Sequence, residues 1–297
     1  MKVIVTGASG LLGSALVPTL RQAGHEVVTL VRRTPRAPHE VRWDPAAGTI
    51  DVDPLAGSAA TVHLAGAGIG DKRWTKQYRQ LIRDSRVTGT SLLARTLAGL
   101  RPPPQVLLSA SGAGFYGDTG EHAVTETAPP GSGFLSEICR EWEAATAPAA
   151  EAGVRVCLMR SGIVLSRSGG ALRRQLLPYR LGLGGPLGNG RQWMSWIELH
   201  DEIAAMVFLL SATDVDGPVN LTAPAPVRQR DFAKSLGWAL SRPAVLPAPR
   251  IGLRLLLGGI ADDLLVSQRV IPRRLLDAGF AFRSPDLPAA LAAALRR

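Results

Sequence analysis

The stretch Lys2-Val-Ile-Val-Thr-Gly-Ala-Ser-Gly-Leu-Leu-Gly13 decides the fold of this chain. Its first part, from Lys2 to Thr6, contains an apolar run of the kind that forms a buried parallel strand. Apolar residues then recur at helical spacing, at Leu11, Leu12, Ala15, Leu16, Leu20 and Ala23. The order of strand, glycine-rich turn and helix predicts a dinucleotide-binding fingerprint, because that motif requires this context.

Each glycine of the turn has a separate role. Gly7 permits a sharp turn, Gly10 lets backbone N–H groups approach a diphosphate, and Gly13 lets the helix pack closely against its strand. The helix N-terminus then offers partial positive charge to the phosphates. We therefore predict cofactor contacts from Gly7, Ser9, Gly10, Leu11, Leu12 and Gly13.

The end of the second strand distinguishes between two cofactors. This strand runs from His25 to Val31 and is followed by Arg32 and Arg33. Sites that prefer NAD place an acidic residue here to hold the ribose 2′-hydroxyl, whereas an arginine accommodates the 2′-phosphate of NADP. Arg32, with Arg33 beside it, therefore predicts NADP(H) in preference to NAD(H). The alternative is a pair of solvated arginines at a strand end.

The composition is typical of a globular protein. The 297 residues are 46% hydrophobic and 20% charged, and they are enough for one large or two modest domains. The formal net charge is +10, from 34 basic and 24 acidic residues, and nearly all of the basic residues are arginines. Because these arginines are scattered and no basic stripe is interleaved with aromatic residues, nucleic acid is not expected as a partner.

The cysteines, the histidines and the apolar stretches indicate the cellular compartment and whether a metal or a membrane is bound. Cys139 and Cys157 make no disulfide framework and fit a reducing compartment. The five histidines lie far apart, and the absence of a Cys/His cluster predicts no metal site. The stretch from Ile251 to Val266 is interrupted by charges, which argues against a membrane span, and the apolar run after Lys2 is predicted to be a strand and not part of a signal peptide. We predict a cytoplasmic protein without a membrane partner, either a monomer or a homodimer.

Two further strand ends carry candidate site residues. The strand from Ala59 to Leu64 runs into Ala65-Gly66-Ala67-Gly68, whose small residues allow close approach of a ligand. The strand from Gln105 to Ala110 runs into Ser111, whose hydroxyl could bond a substrate carbonyl or hydroxyl. The alternative is an ordinary serine in a glycine-rich turn. Ser109 of the same strand is included among the predicted cofactor contacts.

These motifs resemble those of the extended short-chain dehydrogenase/reductase superfamily. The Gly-x-x-Gly-x-x-Gly spacing after Thr6 matches these enzymes, and Leu64-Ala65-Gly66 is similar to the turn beside their cofactor. Arg86 stands where they carry a structural and catalytic Asn, a substitution typical of one atypical branch. Ser111 matches their catalytic Ser or Thr, and Ile163 falls in a turn that lines the nicotinamide side. The resemblance implies cofactor contacts from Leu64, Ala65, Gly66, Arg86 and Ile163.

The sequence departs from this superfamily at the catalytic pair. These enzymes carry Tyr-x-x-x-Lys on the helix after Ser111, with both side chains on one face. Leu135 and Cys139 stand in those places when Glu143 is aligned with the acid that usually follows. Neither side chain can replace the phenol or the ammonium group. Cys139 is either a buried structural thiol on an apolar face or a thiolate near a bound cation, and both interpretations stay open.

Over its length the chain looks like an atypical extended member of the NAD-dependent epimerase/dehydratase, sugar-nucleotide epimerase-like group. The resemblance implies an α/β fold, with a Rossmann-like doubly wound parallel sheet, a smaller C-terminal substrate lobe and the group's C-terminal domain of unknown function. We assign residues 1–167 and 198–223 to the NADP-binding domain and residues 168–197 and 224–297 to the substrate lobe. Asp201 is predicted to cap a helix from Glu202 to Leu210.

Two functions of different classes fit this pattern. The first is an NADP(H)-dependent oxidoreductase or epimerase-like enzyme on an unidentified small substrate. Ser111 would hydrogen-bond the substrate, and Arg86 would supply the positive charge of the missing lysine. The second is a non-catalytic NADP(H)-binding sensor or scaffold, because the Tyr and the Lys are absent. A cysteine-dependent activity at Cys139 is a third alternative.

Overall fold

The computed structural model describes residues 1–296, without the side chains of residues 256 and 257. Residue 297, the last of the predicted substrate lobe, lies outside the described residues. The strands of this part of the chain are β1 (Lys2–Thr6), β2 (Glu26–Val31), β3 (Glu40–Asp44), β4 (Thr49–Ile50), β5 (Ala60–His63), β6 (Val106–Gly112), β7 (Ala123–Val124), β8 (Arg155–Ser161), β9 (Ile163–Leu165), β10 (Trp193–Met194), β11 (Trp196–Glu198), β12 (Gly217–Leu221), β13 (Val227–Arg228) and β14 (Arg269–Val270).

The α-helices are interspersed with these strands. They are α1 (Leu11–Gln22), α2 (Lys76–Gly99), α3 (Phe134–Ala144), α4 (Ala147–Glu151), α5 (Gly170–Arg180), α6 (Leu199–Ser211), α7 (Gln229–Ala239), α8 (Arg250–Leu257), α9 (Ile260–Leu264), α10 (Arg273–Asp277) and α11 (Leu287–Arg296). Within residues 1–296, none of these helices has the length and apolar character needed to cross a membrane. The cytoplasmic location stays a prediction.

Eight strands form one sheet in the order β12-β8-β6-β5-β1-β2-β3-β4. Neighbouring strands are parallel, except that β3 and β4 are antiparallel. The chain order reverses at β1, which lies between β2 and β5. In a doubly wound sheet of this kind, ligands bind outside the carboxyl ends of the strands at the reversal point. The predicted α/β, Rossmann-like fold is confirmed.

Helices cover both faces of the sheet because its central strands are buried on both sides. Val3 and Val5 of β1 face a core shared with α1 and α6, whereas Ile4 faces a core shared with α2 and α4. Burying one such aliphatic side chain contributes about 1.5–3 kcal/mol. The double burial explains why these strands are continuous apolar runs in the sequence.

A third apolar core holds the C-terminal part of the chain. It joins α5, α7 and α11 around the buried side chains of Trp196 and Phe232. β14 also pairs in parallel with β7, which connects this late segment to the loop after β6. Both segments of the predicted substrate lobe contribute to the third core. The division into two domains at the predicted boundaries stays a prediction.

The helix α6 begins earlier than predicted, and the role assigned to Asp201 was wrong. Glu198 is the N-cap, and its side chain accepts a hydrogen bond from the His200 N–H at 2.8 Å. Asp201 lies in the first turn, where its carboxylate accepts the N–H groups of Arg283 and Ser284, each at 2.9 Å. These partners are 82 and 83 residues away in the chain. Local sequence therefore identified a backbone-binding aspartate but not the backbone it binds.

Candidate functional site

The loop between β1 and α1 is a cradle made of backbone atoms. Gly7 has a φ of +69°, and a Cβ there would lie 2.7 Å from the carbonyl carbon of Leu64. A Cβ on Gly13 would lie 2.6 Å from the Cα of Ala8, and one on Gly10 would lie 3.3 Å from the Gly7 oxygen. Gly10, the N-cap of α1, offers no side chain to the first turn. No side chain of the described residues caps the first N–H groups of α1, which leaves them open to an anion.

The other predicted residues of the loop differ in exposure. Ser9 is exposed, whereas Leu12 is half-buried against the core between α1 and α6. Leu11 packs against the start of α5, since a Cβ on Gly169 would lie 3.2 Å and one on Gly170 3.3 Å from its methyl carbons. The glycine loop therefore lies close to the C-terminal part of the chain.

A buried hydrogen-bond chain fixes the strand ends beside this loop. Thr6 Oγ1 accepts the N–H groups of Leu64 and Ala65, each at 3.1 Å, and lies 2.7 Å from His63 Nδ1. Because this oxygen accepts two hydrogen bonds, its proton goes to Nδ1, and His63 Nε2 donates to Thr90 Oγ1 at 2.9 Å. Burial lowers the pKa of His63 to about 4, so the ring is neutral at pH 7. The turn at Leu64 and Ala65 is thereby held against β1.

The two arginines after β2 are in different situations. Arg33 donates Nη1 and Nη2 to Glu40 Oε2 and Oε1 at 2.8 and 2.5 Å. These bonds are the main reason that the pKa of Glu40 is lowered to about 2. Arg32 is exposed, and its side chain makes no hydrogen bond or ion pair within the described part of the chain. Arg32 is therefore uncommitted, while Arg33 is occupied in holding the start of β3.

Arg86 packs against the turn that follows β5. Its Nη1 donates to the carbonyls of Ala67 and Ile82 at 3.0 and 3.1 Å, and its Cζ lies 4.9 Å from the ring centre of Trp142. A Cβ on Gly66 would lie 3.2 Å from that Cζ, so glycine permits the close approach. Burial lowers the pKa of Arg86. Arg86 is thus a buried cation with no carboxylate partner among residues 1–296.

Ser111, the second-last residue of β6, is hydrogen-bonded to a buried ion pair. Its Oγ donates to Glu143 Oε1 at 2.6 Å. Glu143 also accepts Nε and Nη2 of Arg160, both at 2.8 Å, and the Cζ of Arg160 lies 3.4 Å from the ring centre of Phe115. Because the Ser111 proton points to a carboxylate, its oxygen is left as a hydrogen-bond acceptor for a ligand.

The ion pair continues into a chain of buried hydrogen bonds. Arg160 Nη1 donates to the Tyr116 hydroxyl at 3.0 Å, and that hydroxyl donates to Asn220 Oδ1 at 2.6 Å. Asn220 donates its Nδ2 to the Ile271 carbonyl at 2.9 Å and its backbone N–H to Glu126 Oε1 at 3.1 Å. Four distant segments of the chain therefore meet at the carboxyl ends of β6, β8 and β12.

Leu135 and Cys139 lie beside this network on α3. A Cβ on Gly114 would lie 3.1 Å from the Leu135 Cβ, and the Cys139 Sγ lies 3.7 Å from the Gly112 carbonyl oxygen. Burial raises the pKa of the Cys139 thiol to about 11, and the Glu143 carboxylate adds to the shift. The thiol is therefore protonated at neutral pH, which favours the structural interpretation over a thiolate.

Ser109 and Ile163 lie in different sheets, Ser109 in the central one and Ile163 in the two-stranded sheet of β9 and β11. Ser109 is 1% exposed inside β6, and its Oγ has no hydrogen-bond partner among the described residues. Ser111 lies two residues further along the same face, nearer the strand end. Ile163 is half-buried at the start of β9, where its N–H donates to the Ser195 carbonyl at 2.9 Å. The structure thus places Ile163 and Ser111 at the carboxyl edge of the central sheet, whereas Ser109 lies further inside β6.

A second buried carboxyl lies on the opposite face of the sheet. Ser161 follows Arg160 in β8, and its Oγ donates to Glu202 Oε1 at 2.6 Å. Glu202 is fully buried in α6, and its Oε2 has no partner within the described part of the chain. Burial raises the pKa of Glu202 to about 8, so this carboxyl is neutral at pH 7.

Sequence reasoning singled out the glycine loop and Ser111 but not the charges that surround Ser111. Arg160 is a charged residue near the end of β8, after the apolar Leu158 and Met159, and Asn220 is the one polar side chain of β12. Such a residue is the available signal, because a polar group in a buried strand must find a partner. The identity of that partner depends on how distant segments fold together. In the sequence analysis, Glu143 was used only to align α3 with the Tyr-x-x-x-Lys pattern.

Family models and related proteins match this chain over most of its length. The model described as "NAD dependent epimerase/dehydratase family" matches residues 3–221, and a domain of unknown function, DUF1731, matches residues 248–294. An epimerase family protein of Mycobacterium bovis is 43% identical over 296 residues, which cover 99% of this chain and 98% of that protein. The chloroplastic SDR39U1 homologue of Arabidopsis thaliana is 37% identical over 306 residues, with coverage of 100% and 87%.

A solved structure is similar over the full length. The human epimerase family protein SDR39U1 (isoform 2), crystallised with NADPH, is 35% identical to this chain. It superposes with a TM-score of 0.92 and covers 100% of both chains. The architecture is therefore shared along the whole sequence.

Proposed function

Because the chain belongs to the NAD-dependent epimerase/dehydratase family, we propose that it binds NADP(H) and acts on a small substrate as an oxidoreductase or epimerase-like enzyme. The observation that carries the proposal is the cradle at Gly7, Gly10 and Gly13, which side-chain atoms would fill. The NADPH in the structure of the human relative supports the same cofactor for this chain.

Three features of the described residues fit this cofactor. The N–H groups at the start of α1 suit the diphosphate. The uncommitted guanidinium of Arg32 suits the 2′-phosphate, which it could bind in a bidentate manner. The turn at Leu64 and Ala65, held by Thr6, allows the cofactor to pack closely against the backbone. When bound, the nicotinamide ring supplies or accepts a hydride.

The residues near Ser111 determine which substrate atom is held. The Ser111 oxygen accepts hydrogen bonds because its own proton is directed to Glu143, so it suits a substrate hydroxyl better than a carbonyl. Arg86 supplies a positive charge near Cys139, the place where related enzymes carry a lysine. We therefore favour an alcohol as the substrate, with its hydroxyl bonded to the Ser111 oxygen and NADP as the hydride acceptor.

The cofactor part is tested by thermal shift and titration with NADP, NADPH, NAD and NADH. We expect the phosphorylated pair to give the larger shift. Arg32→Asp should reduce the affinity for NADP by about tenfold or more, since a charged hydrogen-bonded contact is lost. The control is Arg42→Asp, which removes an exposed arginine from the neighbouring strand β3. A preference for NADP that survives Arg32→Asp would contradict the assignment.

Turnover is tested separately with panels of alcohols plus NADP and of carbonyls plus NADPH. We expect Ser111→Ala to lower kcat by about 100-fold while the affinity for NADP stays unchanged. Ser211→Ala, which removes an exposed hydroxyl at the end of α6, should leave both quantities unaltered. Equal rates in Ser111→Ala and wild type would remove Ser111 from the reaction.

A non-catalytic NADP(H)-binding sensor is the second candidate. It is favoured by Leu135 and by the protonated thiol of Cys139, which occupy the places of the usual proton-transferring pair. This function predicts nucleotide binding without turnover, and a partner that is captured with only one redox form. Equal affinity for NADP and NADPH, with no captured partner, would count against it.

A further inference from the structure

Large apolar side chains are exposed on one part of the molecule. Among the described side chains, eight of the twelve exposed large hydrophobic residues lie between residues 177 and 255. Trp238 is 88% exposed and Ile251 is 75% exposed. We call these eight residues the apolar surface; they are Leu177, Leu181, Leu183, Trp238, Val245, Leu246, Ile251 and Leu255.

Backbone contacts hold the segments of the apolar surface together. The Leu246 N–H donates to the Gly184 carbonyl at 3.1 Å, and the Ala248 N–H donates to the Pro186 carbonyl at 2.9 Å. The loop before α8 therefore runs alongside the loop after α5. Arg242 Nε also donates to the carbonyl of Arg180 at 3.1 Å, which connects the end of α5 with the segment after α7. The loops that carry Leu183 and Leu246 thus lie side by side, with Trp238 near the end of α7 and Ile251 near the start of α8.

The two segments that carry this surface contain basic residues but no acidic ones. Residues 170–186 and 232–257 contain no Asp or Glu. Their seven basic residues are Arg173, Arg174, Arg180, Lys234, Arg242, Arg250 and Arg254. Arg174 pairs with Asp71, and both Arg250 and Arg254 pair with Asp262. The other four have no carboxylate partner within residues 1–296.

We propose that the apolar surface docks onto the face of an anionic phospholipid bilayer. An exposed tryptophan among aliphatic side chains suits the boundary between headgroups and acyl chains. Arginines can lie with their stems on apolar material and their guanidinium groups at phosphates. Pairing with a second copy would set these four unpaired cations against the same four, which disfavours a symmetric dimer through this surface.

The proposal describes binding to the membrane surface and not insertion across it. It departs from the sequence-based expectation that the chain has no membrane partner. That expectation followed from the charges that interrupt the stretch from Ile251 to Val266, which rule out a span but not a peripheral contact. The proposal is independent of the reaction proposed above, because none of its residues belongs to the glycine loop or to the Ser111 network.

The test is flotation of the full chain with vesicles of phosphatidylglycerol and phosphatidylcholine, and with vesicles of phosphatidylcholine alone. We expect binding only to the anionic vesicles, and weaker binding as salt is added. The double variant Trp238→Ser, Ile251→Ser should bind at least about tenfold more weakly, because two apolar side chains no longer enter the bilayer. Arg180→Gln should weaken binding by roughly fivefold.

The matched control is Leu81→Ser, which removes an exposed leucine from α2, outside the apolar surface. It should bind as wild type does. Absence of binding to anionic vesicles at low salt overturns the proposal, as does a double variant that still binds fully. Light scattering without lipid provides a further check. If wild type is a dimer that the double variant converts to a monomer, the surface joins two copies and the proposal is wrong.

Discussion

The glycine loop after β1 and the carboxyl ends of β6 and β8 are built in opposite ways. The loop depends on the absence of side chains, since a Cβ on Gly7 or Gly13 would overlap backbone atoms. The strand ends depend on the presence of particular side chains, since Ser111 is held by Glu143 and Glu143 by Arg160. The first arrangement agrees with the family pattern in the sequence, and the second lies beside Leu135 and Cys139, which stand where the usual Tyr and Lys are missing.

This difference indicates how each region tolerates change. A backbone cradle is damaged by added atoms, because no flexible side chain can move aside. A buried charge network is damaged by removed charges, because a partner left behind has lost both water and its counterion. The predictions below test the contrast, beginning with the largest expected change in stability.

Glu143→Gln should be the most destabilising of these changes. It removes the counterion of Arg160 at a site where the two side chains are 9% and 4% exposed. Breaking a buried pair by removing one partner costs about 3–5 kcal/mol. The free energy of unfolding, measured with urea, provides the check.

The control for this prediction lies on the same helix. Glu137→Gln removes a carboxylate that pairs with Arg83 at 3.7 Å on the surface, and it should cost at most about 1 kcal/mol. If the two variants are equally stable, the Glu143–Arg160 pair does not hold the strand ends as described.

Glu202→Gln should raise stability at neutral and alkaline pH. The pKa of Glu202 is about 8 in the folded chain against an ordinary value of 4.5. The folded state therefore keeps a proton that the unfolded chain releases, and the free energy of unfolding falls between these two pH values. The slope is at most about 1.4 kcal/mol per pH unit. The free energy of unfolding of the variant minus that of wild type should therefore be about 3 kcal/mol larger at pH 7 than at pH 4.5.

Urea unfolding of both proteins from pH 4.5 to pH 9 measures this gain. Glu151→Gln, at an exposed glutamate on α4, should run parallel to wild type across the range. A stability difference between wild type and Glu202→Gln that is constant with pH would show that Glu202 is ionised in the folded protein.

Gly13→Ala should have a smaller effect on stability and a severe effect on nucleotide binding. The added methyl would lie 2.6 Å from the Cα of Ala8, so the loop must shift. Such overpacking costs about 1–3 kcal/mol. Because the shift displaces the N–H groups at the start of α1, we expect no measurable NADP binding by titration.

A second helical glycine gives the matched control. Gly99 of α2 has nothing within 4 Å of the position of an added Cβ, so Gly99→Ala should be neutral or stabilising by up to about 1 kcal/mol. NADP binding by Gly13→Ala at wild-type affinity would mean that the loop is not the diphosphate site.

Local signals accounted for much of the fold. For example, α2 begins after Thr75, whose side chain caps it by accepting the Tyr78 N–H, so the capping residue and the helix lie together in the sequence. The short strands β7 and β14 could not be predicted, since two residues carry no periodicity and each strand depends on the other. The cap of α6 was misplaced for a related reason, as the partners of Asp201 come from the far end of the chain.

The sequence by itself determined the parallel sheet, the glycine loop after β1, the arginine after β2 and the loss of the usual Tyr and Lys. Each of these features depends on residues that are close together in the sequence, because strand burial, tight turns and helix periodicity act over short distances. Only the tertiary structure decided that Arg33 is occupied while Arg32 is uncommitted, and that Glu143 has an arginine while Glu202 has none. A charge in the interior takes its state from its neighbours and its access to water, and residues distant in the chain supply both.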